Sequence, residues 1–100
     1  MKREIKNPHP GEILKQEFLD ELGISAYRLA KEIEVSEASL SQIINGKRSM
    51  SVDLAIRLGI YFKTSPELWI NLQRSHDIME LERKNKAEYK KIKPLEIARV

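Results

Sequence analysis

Between Ser25 and Lys47 the chain reads SAYRLAKEIEVSEASLSQIINGK, and its side chains sort into two sets. Leu29, Ala30, Ile33, Val35, Leu40 and Ile44 are apolar at helical spacing, whereas Glu37, Ala38, Ser39, Ser41, Gln42 and Asn45 are small, acidic or amide-bearing. On a helix the second set makes an outward face free of bulky apolar groups, which fits a groove about 12 Å wide such as the major groove of duplex DNA. The chemistry available there is the reading of base edges. Gln42 lies one turn and a fraction beyond Ala38, so an amide can pair with adenine while a methyl touches thymine. Glu37, Ala38, Ser39 and Gln42 are therefore the candidate base contacts. Glu37 fits only if its carboxylate accepts from a cytosine amino group or pairs with Lys47 or Arg48, because phosphates otherwise repel it.

Around that face stand candidates for phosphate contacts: Tyr27 and Arg28 before it, Ser41 and Asn45 on it, and Lys47, Arg48, Ser49 and Ser51 after it. Such contacts position a duplex without reading its sequence. The competing interpretation is an αα-hairpin with an ordinary polar outside and solvated Lys and Arg side chains. Other chemistry finds little support. His9 and His76 are the only histidines, and His76 with Glu80 at i, i+4 supplies two metal ligands at most. No serine sits in a glycine-flanked elbow, so a nucleophile with its base is not indicated. The expectation is no enzyme activity, no metal and no cofactor.

Several elements must position this face. A first helix is expected from Pro10 or Gly11 to Leu22, with Leu14, Phe18 and Leu22 on one stripe and Gly23 as its stop. Ser25 can cap a second helix, Glu34-Val35 makes a tight connection, and Ser36 starts a third that Asn45-Gly46 closes. Small Ala30 lets the pair approach, with Val35 plugging the angle. Ser51 caps a fourth helix to about Lys63, in which Ala55, Leu58 and Phe62 share a face. Ser65-Pro66-Glu67 restarts a fifth, expected to reach at least Glu82 and to extend toward Ile92 on Glu80–Lys84, Lys84–Glu88 and Glu82–Lys86 pairs. Strand signals are scarce, so the fold class is all-α, with five helices and a long C-terminal one.

One hundred residues suffice for one core. The division is an N-terminal arm 1–8, a helix-turn-helix domain 9–83 with the motif at 25–47, and a basic C-terminal extension 84–100. Net charge is +3, but residues 83–100 alone carry +5 and residues 51–82 carry −2. Without cysteines the fold must rest on apolar burial. No apolar run approaches a membrane span, and Met1-Lys2-Arg3 leads into Glu4 rather than an apolar leader, so a cytoplasmic location is expected. Leu68, Trp69, Leu72, Ile78, Met79 and Leu81 wrap more than one face of the fifth helix, which points to a two-fold dimer. Trp69, Leu72, Gln73 and Met79 are the candidate interface residues, although Trp69 also begins the stripe that reads as core.

The motif from Ser36 through Lys47, a Ser-capped helix closed by Asn-Gly-Lys, resembles the helix-turn-helix of the lambda-repressor-like family. More narrowly, His9-Pro10-Gly11-Glu12-Ile13-Leu14, Asn45-Gly46-Lys47-Arg48, Ala55-Ile56-Arg57-Leu58 and Ser65-Pro66-Glu67-Leu68-Trp69-Ile70-Asn71-Leu72-Gln73 resemble the HigA-type antitoxins of bacterial toxin–antitoxin pairs. The resemblance covers about residues 8 to 83. It implies a five-helix fold, dimerisation through the C-terminal helix, binding of double-stranded operator DNA to repress the protein's own operon, and neutralisation of a HigB-like, ribosome-dependent mRNA endonuclease. The N-terminal stretch, with Ile5, Glu12, Ile13 and Glu17, is the expected toxin contact. A stand-alone regulator of the same fold and a helical adaptor that binds only protein remain the alternatives.

Overall fold

The computed structural model describes residues 7–96. Among them are six helical segments and no strand. The segment α1 covers 10–22 and has three parts, an α-helical Pro10–Ile13, a π-helical Leu14–Leu19 and a closing turn Asp20–Leu22. Then come α2 (Ala26–Ile33), α3 (Glu37–Ile44), α4 (Val52–Phe62), α5 (Pro66–Lys84) and a short α6 (Lys86–Lys90).

Helix starts follow local chemistry. The hydroxyls of Ser25, Ser36, Ser51 and Ser65 accept from the backbone N–H three residues on, at 3.0, 3.0, 3.1 and 3.2 Å. Gly23 and Gly46 take left-handed backbone, at φ 67° and 76°, where the chain leaves α1 and α3. Glu34 and Lys63 do the same at the ends of α2 and α4.

The core joins Leu14 and Leu19 of α1, Leu29, Ala30 and Ile33 of α2, Leu40 and Ile43 of α3, Leu54, Ala55 and Leu58 of α4, and Trp69 of α5, with Met50 from the loop. Phe18 stacks at 4.8 Å from Phe62 and 5.0 Å from Trp69, while the indole N–H of Trp69 donates to Thr64 Oγ1 at 2.9 Å.

Two expectations are corrected here. Leu22 is 58 % exposed and Leu19 takes its place in the core at 2 %. The π-helical turn is the cause, since its wider i→i+5 bonds, such as Asp20 N–H to Lys15 C=O, advance the buried face by one residue. The last long helix passes the expected Glu82 but ends at Lys84, short of Ile92, because Asn85 leaves helical backbone at φ −111°, ψ 29° before α6 resumes. The ion pairs formed there are Arg83–Glu80 and Lys91–Glu88 rather than the three expected. Residues 97–100, part of the terminal stretch, and Ile5 of the arm lie outside the described residues.

Candidate nucleic-acid interface

The turn Glu34-Val35-Ser36 sets α3 across α2, with Val35 N–H donating to Ala30 C=O at 3.0 Å. Buried Leu40 and Ile43 turn the opposite side of α3 to solvent, and Glu37, Ala38, Ser41, Gln42 and Asn45 lie exposed there. Ser39 is half-buried at the edge of the set, where its hydroxyl accepts from Arg48 Nη1. Arg48 is thus folded onto the reading helix rather than onto Glu37. The Glu37 carboxylate stands in the first turn of α3, where the helix N-terminus favours negative charge. Ser41 Oγ accepts from Asn45 Nδ2 at 3.5 Å, a long contact that a duplex can displace.

Lys47 and Ser49 project from the loop between α3 and α4, and Ser51 keeps a free hydroxyl proton while its oxygen caps α4. Tyr27 is 56 % exposed with Lys31 Nζ 5.5 Å over its ring. Arg28 is less free. Its Nε donates to Glu32 at 3.1 Å, and the Tyr61 hydroxyl donates to the same carboxylate. The Tyr61 and Arg28 hydrogen bonds together hold Glu32 below the ordinary carboxylate range.

Three groups that the sequence does not single out as positioning elements hold this surface. Gln73 Oε1 accepts from the buried Met50 N–H at 2.7 Å, and Gln73 Nε2 donates to Asp77 at 3.0 Å, so α5 grips the loop that carries Lys47 and Arg48. Arg57 Nη1 donates to Ile33 C=O at 2.7 Å while its Nε meets Asp53 at 2.8 Å, which ties α4 to the carbonyl end of α2. Gly11 lies against the end of α3 so closely that a Cβ there would stand 1.9 Å from Ile43 O.

His9 joins the same corner. Its Nδ1 accepts from Gly11 N–H at 2.9 Å, Glu12 returns a bond to the His9 backbone at 3.2 Å, and its ring meets His76 edge-on at 5.0 Å. Burial, and then the neighbouring His76, lowers the His9 pKa from its ordinary 6.5. Asn7 completes the contact, its side-chain amide donating to His76 C=O and to Glu80 at 3.3 and 3.1 Å. Among the described residues no group of three His, Cys, Asp or Glu could hold a metal ion, and no helix is long and apolar enough to cross a membrane.

The expected dimer set divides. Trp69 has no exposed surface and Gln73 is 7 % exposed, so both are used inside the protomer and neither can face a second copy. The sequence carried a signal for this, since Gln73 follows Trp69 by four residues and shares its face. Leu72 is half-buried and Met79 is 51 % exposed, with Leu68, Ile78 and Leu81 exposed on the same helix. Glu12 and Ile13 are also partly engaged, the first in the cap of α1 and the second against the core.

Residues 14–69 match a family model described as a helix-turn-helix. The chain is 35% identical over 85 residues to the antitoxin HigA-1 of Vibrio cholerae, covering 85% of this chain and 80% of that one. Virulence-associated protein A' of Dichelobacter nodosus is 44% identical over 79 residues, covering 77% and 68%. Among solved structures, the Pseudomonas aeruginosa antitoxin HigA with the higBA promoter superposes with a TM-score of 0.87 at 40% identity, over 91% of this chain and 100% of that one. A HigA-family addiction module antidote protein from Coxiella burnetii gives 0.84 at 37% identity, over 91% and 100%. An all-helical motif of two crossed helices with a polar reading face defines a DNA-binding regulator class rather than an enzyme. Within it, this chain belongs to the HigA-type antitoxins of the lambda-repressor-like helix-turn-helix family.

Proposed function

We propose that this protein is the antitoxin of a bacterial toxin–antitoxin pair, which binds operator DNA as a homodimer to repress its own operon and neutralises a ribosome-dependent mRNA endonuclease. The observation that carries the reading is the exposed face of α3. Ala38 and Gln42 stand free on it, Arg48 lies along its edge, and the same fold in a relative was solved with a promoter. In this reading Glu37, Ala38, Ser39 and Gln42 address bases. Tyr27, Ser41, Asn45, Lys47, Arg48 and Ser51 hold phosphates, and Arg28 joins them only by sharing its charge with Glu32. Leu72 and Met79 face the second copy. Two-fold symmetry would space the recognition helices about 34 Å apart on an inverted repeat, in the cytoplasm where such DNA lies.

The test is binding to the protein's own promoter and to a scrambled duplex at two salt concentrations. Gln42→Ala should weaken operator binding roughly tenfold or more per half-site and leave the scrambled duplex nearly unchanged, since a bidentate amide contact discriminates by ~1–3 kcal/mol. Equal losses on both duplexes would show that α3 does not read bases. Where a small ribonuclease is encoded beside this gene, co-expression should relieve its growth arrest, and failure to do so would leave a regulator without a toxin partner.

A further inference from the structure

Val52, Ile56 and Ile60 stand four residues apart on α4 and are 63 %, 44 % and 75 % exposed. Three β-branched side chains one turn apart form a continuous apolar stripe that its own chain leaves open. Beside Ile60 is a shallow hollow of about 210 Å³ bordered by Glu32, Glu34, Arg57 and Tyr61. Arg57 is engaged with Asp53 and with the carbonyls of Ile33 and Glu34, and the hollow lies at the carbonyl end of α2. The Glu34 carboxylate has no ion-pair partner among the described residues. The stripe therefore has an acidic rim and suits an apolar partner carrying positive charge.

The same chain carries a surface of that chemistry. From Arg83 to Lys93 cations outnumber the single acid Glu88, and Tyr89, Ile92 and Leu95 are 43 %, 71 % and 85 % exposed among them. The molecule is 27 and 26 Å across its short axes, a width that the five residues of α6 and the stretch 91–96 can span at about 1.5 Å per helical residue and about 3.3 Å per extended residue. We propose that, in the homodimer put forward above, the arm formed by α6 and residues 91–96 lies over Val52, Ile56 and Ile60 of the second copy. Its lysines meet the Glu34 rim while its apolar side chains cover the stripe. A foreign basic protein is the competing occupant. The arm is favoured because both complementary surfaces belong to one chain and are present in equal number, so mutual exchange buries both stripes and both arms.

The chain has no cysteine, so single replacements report cleanly on proximity. Full-length Ile60→Cys and Tyr89→Cys proteins, mixed, allowed to exchange and oxidised, should give a disulfide-linked heterodimer on a non-reducing gel, with neither protein alone doing so. Glu34→Lys should raise the dimer dissociation constant roughly twofold to fivefold, the range of an exposed ion pair, and Lys90→Glu in the same chain should restore it. Efficient linkage of Ile60→Cys to itself would place α4 against its own copy and overturn the proposal. A stable dimer by light scattering without the mixed linkage would overturn the arm contact while leaving the dimer in place, whereas a monomer would remove both. A dimer unaffected by Ile60→Asp that no longer captures the toxin would assign the stripe to the foreign protein, and the proposal would fall.

Discussion

The backbone N–H of Met50 donates to the side-chain oxygen of Gln73 at 2.7 Å across a separation of 23 residues, and both groups are buried. Met50 follows Lys47 and Arg48 in the loop, and Gln73 lies on the same face of α5 as Trp69. Gln73→Leu should leave a buried donor unpaired and cost about 1–3 kcal/mol. Duplex affinity should fall further than stability alone explains, because the loop loses its hold. Gln73→Glu keeps the acceptor for Met50 but sets a second carboxylate 3.0 Å from Asp77, so it should recover binding only when Asp77→Asn supplies the missing donor. Thermal midpoints beside duplex titrations would check this, and unchanged affinity in Gln73→Leu would show that the loop holds itself.

Gly11 and Gly23 should respond very differently to alanine. At Gly11 a Cβ would meet Ile43 O at 1.9 Å, so α1 must separate from α3, at a cost of about 3 kcal/mol or more. At Gly23 the space is open and only the left-handed backbone at φ 67° is penalised, by about 1–2 kcal/mol. Urea unfolding of the two variants would rank them, and equal losses would contradict the close helix crossing.

Arg48→Ala should lower affinity for operator and scrambled duplex alike, and reduce the salt slope by about one unit for the lost phosphate contact. Folding should survive, since Arg48 is exposed and, among the described residues, its side chain bonds Ser39 at the edge of α3 alone. Leu40→Ala, by contrast, empties the fully buried space between α2 and α3 and should cost ~2–5 kcal/mol. Circular dichroism would separate the two effects. A loss confined to the operator in Arg48→Ala would make that side chain a base reader.

Acid should loosen the corner at His9. Its pKa in the folded chain is depressed, chiefly by burial, so below 6.5 the unfolded chain takes up the proton first. Stability is then full above about pH 6.5 and falls as the pH drops from there through the lowered folded value. The protonated ring can no longer accept from Gly11, and it would face His76 at 5.0 Å. His9→Asn keeps a capping oxygen without titrating, and should flatten the decline between pH 7.5 and 5.5 in thermal midpoint. An unchanged pH profile would place the titration elsewhere.

Much of this molecule was legible in its sequence, and the readable part shares one property. Each serine cap acts on a backbone N–H three residues away, and each glycine stop depends on its own φ, so covalent neighbours settle both. The reading face of α3 was legible for the same reason, because a helix with Leu40 and Ile43 inward must turn Ala38 and Gln42 outward. What tertiary structure alone decided lies at long range. Spacing puts Trp69 and Gln73 on one face of α5, but whether that face met the core or a second copy was decided by the approach of Phe18 and of the Met50 loop. Leu22 lost its place to Leu19 through one wide helical turn that no periodicity announces. Arg57 and Gly11 read as members of a motif, but their work, closing α2 and admitting α3, involves partners 24 residues away and more. Spacing along the chain sets which face a side chain shares, whereas the surface that meets that face is chosen only when the helices pack.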